Sequence, residues 1–249
     1  SIVDTLSLGL VYVSNSATVA GSPVNPAITG DGITTPQVLT WNTGLDIPEG
    51  TAPVVTYQVQ VLAGVGPNQI LRNDVRVAWT GLDGVNANER TGTGTPAYND
   101  YFTTAFTALT TPLPGALSKE NPLSTTVAIS QTFTYRITVP ATPMTTALHD
   151  VRILDNLSAT GADLSFVSVT AVGGPYSWTP VNTGTATNLV IEDITNGIDI
   201  PAGQQAVIDI TVVLNDSPTN VSGLQFSNTA SYTYNQVANN PATQQPGGG

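Results

Sequence analysis

Cysteine is absent from this chain of 249 residues, which removes disulfides, thiolate metal sites and a cysteine nucleophile together. Lysine occurs once, as Lys119, and histidine once, as His149. Six basic residues stand against 17 acidic ones, for a net charge of −11. That balance argues against nucleic-acid binding, which needs a basic stripe to displace counterions from phosphate. The same sign argues against anionic membrane surfaces. No apolar run reaches the roughly 18 residues needed to cross a bilayer, so no membrane insertion is expected. The sequence opens on SIVDTL without a basic leader; an exported protein would have lost its signal or carry it outside this sequence.

Catalytic patterns are also missing. There is no G-x-S-x-G elbow and no phosphate-cradling glycine motif. A hydrolytic relay would have to use His149, and its neighbour Asp150 would point to the opposite face of a strand, where it cannot orient the imidazole. His149 therefore reads as a lone surface histidine. Aromatic residues make up only 6% of the chain, thin for a sugar-stacking cleft. Trp41, Trp79 and Trp178 read as core or hairpin residues. The expectation is that the protein is not an enzyme.

What the sequence has in quantity is strand and turn chemistry. Charged residues are 9% and hydrophobic ones 40%, with Gly 23 and Pro 18, a composition unlike that of a disordered acidic tail. VVTYQVQVL (54–62), FTYRITV (133–139) and VIDITVVL (207–214) alternate with period two, as half-buried strands do, and the last places Asp209 and Thr211 outward. The separators AGSPVNP, IPEGT, AGVGPN, VGGP and IPAGQ are turns. Many short strands between such turns predict an all-β protein of tandem immunoglobulin-like β-sandwich domains.

The first third of the chain also returns in the last third. VDTLSLGLVYVSNSATV around Asp4 is answered by ILDNLSATGADLSFVSVTAV around Asp155. LDIPEGTAPVVTYQVQV (45–61) is answered by IDIPAGQQAVIDITVVL (198–214), and NDVRVAW from Asn73 by NTASYTY from Asn228. The pairs lie 151, 153 and 155 positions apart, in unchanged order, which marks a structural unit used twice. PLPGALSKENP (112–122) has the composition of a linker, and a new strand series starts near Thr125. The predicted division is a first repeat over 1–113, a second over 114–237 and a flexible tail over 238–249. On that division the first repeat lacks the opening strands that the second has at 125–139. Either the sequence opens inside a repeat, or another segment or subunit completes it.

These motifs, in this order, resemble the tandem β-sandwich repeats of large bacterial surface proteins, the DUF11 or isopeptide-forming fimbrial-type repeats. The resemblance rests on the strand Thr134–Val139, the turns Asp4–Leu6 and Asp155–Leu157, the hairpins Ile47–Gly50 and Ile200–Gly203, and the closing strand Asn228–Tyr234. The loop at 82–94 and NDYF at 99–102 also look like a loop of such repeats. The resemblance implies a stalk, filament or adhesin at the cell surface.

It also implies a candidate bond. In some members a lysine on the first strand joins an asparagine on the last, assisted by a buried acid, because burial frees the amine and keeps the acid protonated. Here the residue types in the right order are Lys119, Asn228 and, between them, Asp150 or Asp155. The competing reading makes Lys119 an exposed linker charge beside Glu120, and Asn228 a turn residue. The first repeat has no lysine and cannot form such a bond unaided. A second candidate is calcium: Asp83, Asn86, Asn88, Glu89, Asn99 and Asp100 crowd oxygen ligands into one glycine-bearing loop, with an ordinary solvated turn as the alternative. Asp4, Asp46, Asp155 and Asp199 recur at equivalent positions and read as turn caps. Asn156 and Asn220 match the N-glycosylation pattern. The expected function is a non-enzymatic structural module of an extracellular repetitive adhesin, stalk or filament, partnered by copies of itself or neighbouring repeats and assembling by strand exchange. The alternative is a glycan- or ice-binding module.

Overall fold

The computed structural model describes residues 1–42, 47–79, 101–122, 126–174 and 178–248. Almost every element is an antiparallel strand, as the period-two patterning requires, and the chain divides into two units. The first comprises Ser1–Leu62 and Ile70–Thr110. The second comprises Ala63–Gln69 and Thr111–Gly249.

The second unit begins with β11 (Ser118–Glu120), β12 (Thr132–Val139), β13 (His149–Asn156) and β14 (Leu164–Gly173). It continues with β15 (Val181–Asn182), β16 (Asn188–Glu192), β17 (Ala206–Leu214), β18 (Ala230–Asn235) and β19 (Gln244–Pro246). One sheet runs β11-β12-β17-β14 and the other β15-β16-β13-β18-β19. Alternation decides what each buries. Phe133, Tyr135, Ile137 and Val139 of β12 and Ile208, Ile210, Val212 and Leu214 of β17 point inward to one cluster. Val151 and Ile153 of β13 and Tyr232 and Tyr234 of β18 meet them from the opposite sheet. The outward residues pair instead. Arg136 stands opposite Asp209 across β12 and β17 and donates two bonds to its carboxylate, at 2.8 and 2.9 Å.

Two expectations for this unit are corrected. The stretch 112–122 is not a free linker, because Ser118–Glu120 pairs with β12 and makes the edge strand of a sheet. The tail does not hang free. A short 3₁₀ turn at Pro241–Thr243 leads into β19, which pairs with β18, and Gly247 N donates to Tyr232 O. A Cβ on Gly247 would fall against the Tyr232 ring, so glycine lets the tail lie this close.

In the first unit, β1 (Ile2–Leu6), β2 (Leu10–Tyr12), β3 (Thr18–Val19), β4 (Ser22–Pro23) and β5 (Ala27–Thr29) come first. They are followed by β6 (Gln37–Trp41), β7 (Val55–Thr56), β8 (Val59–Val61), β9 (Ile70–Ala78) and β10 (Phe102–Thr110). A five-stranded sheet runs β10-β9-β1-β6-β5. It has the same connectivity as β19-β18-β13-β16-β15, and the register repeats: Asp4 faces Val75 and Leu39, as Asp155 faces Ala230 and Leu189. Leu6, Leu10, Leu39, Trp41 and Leu71 are buried. The opposing layer is smaller: β2 pairs with β8, and β3 with β4 and β7. By the sequence repeat, β7 and β8 correspond to β17. Among the described residues nothing corresponds to β11 and β12, so β7 and β8 each end a sheet.

Candidate functional site

Asp155 lies in β13, whose burial alternates so that Val151, Ile153 and Asp155 face the core. A carboxylate at a core phase of a strand needs a partner. Lys119 supplies one. Its place opposite Ile137 on β11 directs the side chain inward, and Nζ comes 2.5 Å from Asp155 Oδ2. The two side chains are only 8% and 0% exposed. Asn228, two residues before the start of β18, donates from Nδ2 to the same Oδ2 at 3.3 Å. Tyr135 closes the group: its ring centroid lies 4.4 Å from Lys119 Nζ.

The electrostatics suit amine chemistry. Burial pulls the Lys119 pKa below its usual value, and the opposing pull of Asp155 does not fully restore it. Burial raises Tyr135 to about 12, with the Asp155 charge acting in the same direction. Asp155 Oδ1 and Asn228 Oδ1 are buried without partners, an unusual cost for polar atoms. The arrangement presents a desolvated amine and a carboxamide on one oxygen of a buried carboxyl, the three groups that transamidation requires.

The structure thus brings together Lys119, Asp155 and Asn228 of the four residues named for the bond, and leaves out Asp150. That residue sits in a bulge of β13 at φ 47°, where its Oδ2 accepts from Asn235 Nδ2 at 2.8 Å and from Asn239 N at 2.7 Å. The reading of Lys119 as an exposed linker charge is overturned by its place on β11. Asp4 and Asp155 do not cap turns; both are buried within strands. Asp46 lies outside the described residues, as do all six calcium candidates, Asp83, Asn86, Asn88, Glu89, Asn99 and Asp100. Nor is His149 a lone surface residue. Its side chain is 15% exposed, Nδ1 lies 3.6 Å from Asp199 Oδ1, and that contact raises its pKa. Asn220 is buried, and its side chain bridges Asp163 and Asn215. Trp41 is core, whereas Trp79 is 46% exposed and stacks on Tyr101.

The first unit repeats the site with one exchange. Asp4 is buried at the same register, and Asn73 stands where Asn228 does. Between them lies Tyr57, which replaces Ile210 in the repeat. Its hydroxyl donates to Asp4 Oδ2 at 2.6 Å and accepts from Asn73 Nδ2 at 2.9 Å. Burial and the Asp4 carboxylate push the phenol above its normal range, and burial raises Asp4 as well. A phenol held this firmly protonated is a poor nucleophile, so this site joins its strands by hydrogen bonds.

Sequence reasoning missed Tyr135 and Tyr57. The alternation of β12 and of 54–62 shows that each faces inward, and Tyr135 stands within the motif strand Thr134–Val139, but neither pattern gives the residue a role. No family model matches the chain, and no curated protein matches it. Among solved structures, one titled "BspA_C_WT" has a TM-score of 0.39 at 12% identity, covering 99% of this chain and 82% of that one. A second, the Streptococcus agalactiae AgI/II polypeptide BspA C-terminal domain, has a TM-score of 0.36 at 12% identity, with the same coverage. Scores this low fall short of a common fold, and the reading of function rests on the site itself.

Proposed function

We propose that the chain is a non-enzymatic structural module of a repetitive bacterial surface protein, an adhesin, stalk or filament, and that its second sandwich is locked by an isopeptide bond between Lys119 and Asn228. The observation that carries this is the buried triad of Lys119, Asp155 and Asn228. Transfer of the ammonium proton across the short contact to Asp155 leaves a neutral amine. Nζ then attacks Cγ of Asn228, the Nζ–Cγ bond forms, the Cγ–Nδ2 bond breaks, and Nδ2 departs as ammonia with the second proton of Nζ. Asp155 is regenerated as a proton carrier, and no oxidant or cofactor takes part. The bond ties the edge strand β11 to the segment leading into β18, so pulling on the chain loads a covalent link in place of strand ladders.

Intact mass tests this directly. The native protein should weigh one ammonia less than its sequence, and peptides containing Lys119 and Asn228 should elute as one branched species. A full-sequence mass overturns the proposal.

A second observation favours assembly through the first unit. The β7–β8 edge carries no neighbour among the described residues on the side where β17 meets β12, and an open edge invites strand addition. Strands equivalent to β11 and β12, from a neighbouring repeat or a second copy, would complete the sandwich. Deleting terminal segments should then abolish polymers without unfolding the second unit; polymers that survive the deletions overturn this reading.

A further inference from the structure

We infer that β10 is an interface for a second copy of this chain, whose own β10 pairs with it antiparallel about a two-fold axis through Phe106. Two five-stranded sheets thereby become one. The pairing is independent of the isopeptide bond and uses a different edge from β7–β8. β10 ends the sheet of the first unit, and among the described residues no strand pairs with its far side. All nine of its residues, FTTAFTALT, are exposed. The run is rich in strand formers and has no charge, proline or glycine, the composition that pairs most readily when left open. The other edges of the three larger sheets are blunted, as edges that stay unpaired are. β11 carries Lys119 and Glu120, β19 ends at Pro246, β14 shifts register twice, and β5 and β15 are three and two residues long. β10 instead meets β9 in unbroken register along its whole length.

The phase of the ladder identifies the free backbone groups. Trp79 N donates to Tyr101 O and Thr111 N to Gln69 O, so the odd-numbered residues of β10 turn their backbone toward β9. The N–H and C=O of Phe102, Thr104, Phe106, Ala108 and Thr110 therefore point out of the sheet. One antiparallel register pairs all five with the same five of a second copy: Phe102 opposite Thr110, Thr104 opposite Ala108, and Phe106 opposite itself. Such self-complementarity is what a two-fold interface requires. Arg72 and Arg76 lie over the Phe106 and Phe102 rings at 4.1 and 4.5 Å, yet Phe106 remains 65% exposed. The two Phe106 rings then meet as a cross-strand aromatic pair. Charge selects the partner. At −11, two copies repel over most of their surface. β10 is uncharged, and beside it Arg72 neutralises Asp74 at 2.6 Å while Arg76 leaves the strip net positive. An acidic second copy meets its weakest repulsion here. Nine residues a side fall well short of the roughly 20–30 of a standard interface, so the dimer is reversible and concentration-dependent.

Sedimentation equilibrium of the full chain should show a monomer–dimer equilibrium. Thr104→Pro removes a donor that points out of the sheet, so the monomer keeps its β9–β10 ladder while the dimer loses bonds. Phe106→Lys sets like charges opposite each other on the axis. Each variant should match the parent by far-UV circular dichroism and dimerise at least about 10-fold more weakly; if Thr104→Pro does not fold, Phe106→Lys decides alone. Because the chain has no cysteine, introduced ones report the register. Ala105 stands opposite Thr107 of the second copy in a non-hydrogen-bonded pair, with Cα atoms about 4.5 Å apart, close enough for a disulfide. Ala105→Cys and Thr107→Cys chains, mixed and oxidised, should give the mixed disulfide in excess over either self-disulfide. A parent that stays monomeric at every concentration overturns the inference. Dimers that survive both substitutions unchanged lie elsewhere, the β7–β8 edge included, and overturn it as well. Self-disulfides in excess overturn the register, and with it the two-fold pairing about Phe106.

Discussion

Replacing Asn228 by alanine removes the electrophile while leaving Lys119 and Asp155 to pair, so it isolates the covalent link from the charge pair. Under force applied through the two ends of the chain, a Lys119–Asn228 bond carries the load past every residue between them. That stretch is about 110 residues. At about 3.4 Å per extended residue, the bond withholds about 370 Å of contour length. Optical-tweezer extension should therefore show a step longer by about 370 Å in Asn228→Ala than in the parent, arising from the second unit alone. The same link restrains the unfolded chain. By the loop-closure argument for a cross-link of this span, losing it costs about 4–5 kcal/mol, or about 10–20 °C in melting temperature for a unit of this size. Lys119→Met removes the bond and also strands the Asp155 carboxylate in the core, so it should be less stable than Asn228→Ala by about 3–5 kcal/mol. Identical contour steps in parent and Asn228→Ala refute the covalent reading, whatever the melting temperatures.

The other outcomes concern single groups. Tyr57→Phe leaves Asp4 and Asn73 without their shared partner and should destabilise the first unit by about 1–3 kcal/mol, read as an earlier urea transition of the first unit alone. His149 has a raised pKa in the folded state, chiefly through Asp199, so its contribution is full below about pH 6.5 and is lost as pH rises through the higher folded value. Asp199→Asn should flatten that dependence in the second unit; an unchanged profile refutes the pairing. In Asn228→Ala, Lys119 keeps a depressed pKa. The unfolded chain then holds the proton more tightly, and stability should rise with pH toward the ordinary lysine value of 10.5, a slope that the cyclised parent should not show in calorimetry.

Much of the architecture was legible because its causes are local. Alternation in 133–139 and 207–214 specified which side chains are buried, and the outward phase of Asp209 correctly anticipated a surface position, where it meets Arg136. The same rule, carried through 149–156, places Asp155 at a core phase and would have chosen it over Asp150 without the structure. Composition misled where pairing decides. SKENP and NQVANNPATQQP look like linker and tail, yet each contributes an edge strand, because an edge needs only backbone hydrogen bonds on one side and little apolar surface. The reading of 112–122 as a linker hid the burial of Lys119.

The sequence by itself determined the repeat, the all-β class, the absence of disulfides and the supply of one lysine for two similar sites. Only the tertiary structure decided which residues meet. Lys119 and Asp155 are 36 positions apart and Asp155 and Asn228 are 73, so their contact depends on three strands arriving in register from two sheets. Tyr135 joins them because β12 lies beside β11, and Tyr57 takes the amine's place in the first unit because no such strand lies there among the described residues. Periodicity specifies the face on which a side chain stands; proximity across a sandwich comes from strand order and register, which local pattern does not encode.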